Sequence, residues 1–116
     1  MMNTTAGYTK LYRGLRDNPY SRDPEWVAVY VWLLLNAEWK QSSGLLNGQK
    51  IRVEPGQLIT TELDIAKESG VARHKVHRVL ECMEHESIIG KNSGNRNTLF
   101  TLLHWQEEQG TPANTK

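Results

Sequence analysis

Between residues 61 and 83 two helical patterns meet across a three-residue turn, an arrangement that few folds accommodate. Thr61 supplies an N-cap and Asp64, three residues later, resembles a capping box. Leu63, Ile65 and Ala66 give the first helix an apolar side, and Gly70 ends it. Val76, Val79, Leu80 and Met83 then recur at i, i+3, i+4 and i+7, which is the apolar stripe of a second helix. In the intervening Ser69-Gly70-Val71, Gly70 permits the backbone twist that a right-angled corner needs. Ala66 is small enough for close helix approach, and Val71, Val76 and Val79 fill the angle. The pattern is that of a helix-turn-helix.

The second helix, about residues 72–85, has a polar side with its own logic. At about 100° per residue, His74, His77, Arg78, Glu81 and His85 fall opposite the apolar stripe, while Arg73 and Lys75 flank it in the first turn. The leading end thus carries Arg73, Lys75 and Arg78 with two histidines, and the positive end of the helix dipole adds to that charge. Recognition helices put their N-terminal residues at base edges and phosphates, where Arg and Lys are suited to bind. Farther along, Glu81, Glu84 and Glu86 would repel phosphate, so the expected contact is confined to the first two turns. The plainer reading is an exposed helix held by local pairs such as His77 or Arg78 with Glu81.

Two strands are expected at Ile88-Ile89 and residues 98–103, joined by a loop over residues 90–97. Lys91, Asn95 and Arg96 in that loop are candidates for phosphate or minor-groove contact, although a plain polar hairpin has the same composition. The fold class expected is therefore mainly α with a small β-sheet, a winged helix-turn-helix spanning residues 56–103.

The rest of the chain reads as support. Tyr8, Leu11, Tyr12 and Leu15 predict a short first helix stopped by Asn18-Pro19, with Lys10, Arg13 and Arg16 on its far side, free for phosphate or merely solvated. Asp23-Pro24-Glu25 starts a helix running to about Trp39. That helix is apolar nearly all round, which indicates burial on several sides or a dimer seam. Asn47-Gly48 carries a type I′ hairpin signal, Ile51 and Val53 alternate with Arg52 and Glu54, and Pro55-Gly56 turns the chain into residues 57–60. Residues 1–109 are expected to form one domain and the polar residues 110–116 a flexible tail or the start of a linker.

Composition limits the function classes. Fourteen Lys and Arg against 13 Asp and Glu leave a net charge of +1, so attraction to DNA must come from local clustering. Cys82 is the single cysteine, which suits a reducing cytoplasm. No secretory signal is visible, and the apolar run at residues 26–35 is too short to span a membrane. A zinc site from His74, His77, Cys82 and His85 fails on distance, because positions 74 and 85 of one helix lie about 16 Å apart. No phosphate loop, Ser-His-Asp arrangement or paired carboxylates is evident, so neither an enzyme nor a cofactor is expected.

Several short motifs together resemble a family. Tyr8-Thr9-Lys10-Leu11-Tyr12-Arg13, Asn18-Pro19, Asp23-Pro24-Glu25, Pro55-Gly56-Gln57-Leu58-Ile59, the helix-turn-helix and Leu103-His104-Trp105-Gln106 are similar to the N-terminal winged-helix domain of phage replication proteins related to the primosome component DnaD. The resemblance covers about residues 7–109. It implies a role in replication initiation, in which the winged helix binds double-stranded origin DNA or mediates self-assembly. A C-terminal domain would engage helicase-loading proteins, and the 116 residues hold no such second domain. The chain is then either a fragment or a small phage or prophage protein. Ala72 departs from the pattern: the family's recognition helix usually has Ser or Thr there, and a missing cap costs on the order of 1 kcal/mol. Two other readings share this sequence: a winged helix for protein interaction or homo-oligomerisation with little DNA binding, and a small transcriptional regulator.

Overall fold

Pro24 at the first helical position and Asp23 before it set the start of the longest apolar helix. The Asp23 carboxylate accepts from the backbone N–H groups of Glu25 and Trp26 at 3.1 and 3.3 Å. The computed structural model describes residues 8–109; the expected tail at 110–116 and the polar residues 1–7 lie outside the described residues. Helix α1 runs over Pro24–Asn36, somewhat short of the expected end, and buries Trp26, Val29, Leu33 and Leu34. Helices α2 (Glu62–Ser69) and α3 (Arg73–His85) follow after three short strands.

The corner between α2 and α3 forms as its residues dictate. Thr61 Oγ1 accepts from Asp64 N at 3.0 Å, and Gly70 takes φ +78°, the left-handed cap that a residue with a Cβ adopts only with strain. Val76, Leu80 and Met83 of α3 are wholly buried, Val79 is nearly so, and they join Ile65, Val71, Leu33 and Phe100 in one core. That packing, more than helix propensity, holds α3 in place, since each such side chain contributes about 1.5–3 kcal/mol by leaving water.

Among the described residues five strands complete the fold: β1 (Ser42–Leu46), β2 (Gln49–Val53), β3 (Gln57–Thr60), β4 (Ile89–Ser93) and β5 (Thr98–Leu102). The last three form an antiparallel sheet in the order β3-β5-β4, with Leu58, Ile89, Phe100 and Leu102 turned into the core. β1 and β2 make a separate hairpin whose turn residues Asn47 and Gly48 both have positive φ, +56° and +79°, as a type I′ turn requires. Gly56 combines φ +87° with close packing against Trp105. A Cβ there would sit 2.6 Å from the Trp105 side chain, which is why Pro55-Gly56 precedes β3 and Trp105 lies buried over it. Trp105 opens a short helix α4 (Trp105–Gln109), tied to α1 where Tyr30 Oη donates to Glu108 at 3.2 Å. Burial, with the Glu108 charge beside it, pushes the Tyr30 phenol up to about 12.

Two expectations are corrected. Residues 8–12 are not helical; 3-10 turns form at Arg13–Asp17 and Pro19–Arg22, and Tyr8, Leu11 and Tyr12 stay exposed while Leu15 alone of the stripe packs on the core. The segment instead lies against α4, where Gln109 bonds both to the backbone N–H of Lys10 (2.8 Å) and to its carbonyl (2.7 Å). Four apolar residues in under three turns cannot nucleate a helix without a surface to cover. The expected eight-residue loop at 90–97 is also shorter, because β4 continues through Ser93 and Gly94 N donates to Asn97 O at 2.9 Å. Register drives this: Lys91 pairs with Phe100 and Ser93 with Thr98, extending the ladder into residues whose composition suggested a loop.

Candidate nucleic-acid interface

The side of α3 opposite its buried stripe is exposed to solvent, and most of its cations were expected to be available there. The structure divides them. Arg73, His74 and Arg78 are exposed, and no carboxylate lies within ion-pair distance of them among the described residues. Ala72 caps α3 without a side-chain bond; its carbonyl accepts from Lys75 N at 2.9 Å, and the N–H groups of Arg73 and His74 receive no side-chain cap. Those groups and two guanidinium ions give the leading end a positive field with donors for phosphate or base edges.

Lys75 and His77, by contrast, are drawn into the protein's own ion pairs. Lys75 Nζ lies 2.8 Å from Glu25 Oε1 on α1. The His77 ring bridges Glu62 on α2, 2.8 Å from Nδ1, and Glu81 one turn along α3, 3.3 Å from Nε2. With a carboxylate at each ring nitrogen the imidazolium form is favoured. The hydrogen bond to Glu62 raises the His77 pKa above its ordinary 6.5, helped by the charges of Glu62 and Glu81. His77 therefore pins α3 to α2, and the His77–Glu81 pair is the local interaction that the plainer sequence reading named.

The loop side divides in the same way. Lys91 sits within β4, its side chain 18% exposed, with Nζ 3.5 Å from Glu84 Oε1 on α3. It faces the acidic end of that helix rather than open solvent. Asn95 and Arg96 are exposed at the tip. The tip itself is fixed by residues that the sequence did not single out for that task. Arg96 N donates to Asn47 Oδ1 (3.0 Å), Asn47 N donates to Asn97 Oδ1 (3.2 Å), and Asn97 Nδ2 donates to the Leu45 carbonyl (3.0 Å). Asn47-Gly48 was legible as a turn, but nothing in a single sequence says that a turn at 47 meets a loop at 97.

Elsewhere, a cavity of about 310 Å3 between the 8–18 segment, α1 and α4 is lined by Leu15, Trp26, Tyr30, Leu34, Trp105 and Glu108 among others. Among the described residues no three His, Cys, Asp or Glu side chains are grouped to hold a metal ion, and no helix is long and apolar enough to cross a membrane. Searches against protein-family models, curated proteins and solved structures returned no match.

Proposed function

We propose that the protein is a winged-helix module that binds double-stranded DNA through the first two turns of α3, with Arg73 and Arg78 as the principal contacts, His74 beside them and Arg96 reaching the backbone from the β4–β5 loop. The observation that carries this reading is the seating of α3. Its apolar stripe is fully engaged in the core, and the opposite face presents unpaired guanidinium groups next to uncapped helix N–H groups. The order of elements supports it: with the β1–β2 hairpin as an insertion after α1, the remaining sequence of helix, strand, two helices across a tight corner and two further strands, the last lying between the other two, is compatible with a winged helix. Phage or plasmid replication initiation of the DnaD-related kind, in a cytoplasm and beside helicase-loading proteins, is the setting that the family resemblance favours. Transcriptional regulation would use the same chemistry.

A second reading, a winged helix for self-association, draws on Tyr8, Leu11 and Tyr12, which are 89%, 54% and 51% exposed. Titration of duplex DNA at several salt concentrations tests the first reading. Affinity is expected to fall steeply with salt, and Arg78→Ala to weaken binding about 10- to 100-fold while Arg16→Ala changes little. Absence of binding by the wild type at low salt, with a stable oligomer by light scattering, would establish the second reading instead.

A further inference from the structure

The β1–β2 hairpin is not needed to complete the helix corner or the three-stranded sheet, and its charge is distinctive. In a chain of net charge +1, residues 39–53 contain Lys40, Lys50 and Arg52 and no carboxylate, and residues 87–106 contain Lys91 and Arg96 and no carboxylate. The fold brings these two segments together at their tips through Asn47, Arg96 and Asn97. On β2, Ile51 is half-buried and Val53 buried, whereas Lys50 and Arg52 are exposed. Their cross-strand partners Leu45 and Ser43 are exposed too, so one face of the hairpin points to solvent. The other face leans on β3 so closely that a Cβ on Gly44 would stand 2.9 Å from Ile59 Cδ1.

We propose that this outward face is a second contact for the DNA backbone, in which Lys50 and Arg52 extend the phosphate track that Arg96 begins. The inference rests on the DNA-binding reading above. Charge complementarity selects the occupant: the face carries cations and an exposed Leu45, and its nearest carboxylate is Glu54, a loose 3.8 Å from Arg52 Nε at the end far from the turn. Lys50 lies three residues past Asn47, within about 10 Å of the latched tip at the rise of a strand, which suits neighbouring phosphates on one groove edge. A two-stranded hairpin is marginal alone. Asn47 acts as a positioning residue, because its side chain joins hairpin and loop into one unit and holds both sets of cations in register before DNA arrives.

The test compares wild type, Arg78→Ala, the double variant Lys50→Gln/Arg52→Gln and Asn47→Gly on one duplex across a range of salt. Glycine keeps the left-handed turn and removes only the side chain that receives the Arg96 N–H. The double variant is expected to lower the slope of log affinity against log salt by about two, equally for all sequences, since each phosphate contact contributes about 0.9. Asn47→Gly is expected to weaken binding several-fold with melting temperature nearly unchanged. An unchanged slope in the double variant, while Arg78→Ala still weakens binding, overturns the hairpin contact and leaves the α3 reading standing. Failure of the wild type to bind overturns both. A dimer that the double variant dissolves, with no change in slope, would assign the face to a second copy of the chain and also overturn the proposal.

Discussion

The leading turns of α3 and the β4–β5 loop carry the same kind of residue but are built in opposite ways. α3 is bolted to the core by Val76, Val79, Leu80 and Met83, and its cations are sorted by neighbours on other helices: Glu25 takes Lys75, Glu62 takes His77, and Arg73 and Arg78 remain. The loop has no core beneath its tip. Its position is set by three hydrogen bonds to the β1–β2 hairpin, and its one exposed cation is Arg96, Lys91 having been drawn to Glu84. The contrast teaches that the availability of a surface cation is defined less by its place in a motif than by which carboxylate the fold delivers to it. It also shows two ways of holding a charged group still, apolar burial in one region and polar cross-linking in the other.

The largest effect should come from removing the bolt. Leu80→Ala is expected to destabilise the protein by about 2–5 kcal/mol, since it leaves a cavity under α3, whereas Asn97→Ala, which unlatches only the loop, should cost about 1 kcal/mol. Chemical denaturation measures both, and a larger loss for Asn97→Ala would reverse the comparison. A smaller effect concerns the captured cations. Glu25→Gln frees Lys75 and Glu84→Gln frees Lys91, and under the proposed DNA-binding function each should tighten binding about two- to five-fold, because exposed pairs of this kind are worth up to about 1 kcal/mol. Glu25→Gln should gain more, as Lys75 stands in the first turn of α3. Weaker binding in either variant would mean that its carboxylate positions the interface rather than masking it.

The smallest effect is on pH dependence. Glu62 and Glu81 raise the folded-state pKa of His77 above 6.5. Its contribution to stability is therefore fully present below that value and is lost as pH rises through the folded-state pKa. Thermal melts of the wild type should decline through that window more than those of His77→Gln. Parallel curves for the two proteins would show that the His77 bridge does not couple α2 to α3.

Local chemistry was legible where a residue acts on its own neighbours. Thr61 and Asp23 cap the helices that follow them, Gly70 turns the corner, Asn47-Gly48 makes the hairpin turn, and the i, i+3, i+4, i+7 stripe of α3 is its buried side. The same periodicity misled at residues 8–15, because an apolar stripe becomes a helix only if a surface awaits it, and here the docking of Lys10 to Gln109 makes extended chain the better solution. The strand continuing through Ser93 was hidden for a related reason: Gly, Lys, Asn and Ser have low strand preference, yet their backbone N–H and C=O groups join the ladder once a partner strand fixes the register.

The capped starts of α1 and α2, the glycine at the corner and the core-facing side of α3 were thus determined by the sequence, since each depends on residues within a turn or two of one another. Whether Lys75, His77 and Lys91 stay available, and whether the loop at 94–97 is held or free, was decided only by the tertiary structure. Glu25 lies 50 positions from Lys75 and Asn47 lies 50 from Asn97. Separations of that size leave no periodic trace in the chain, and a charge acquires its partner only when the core has folded.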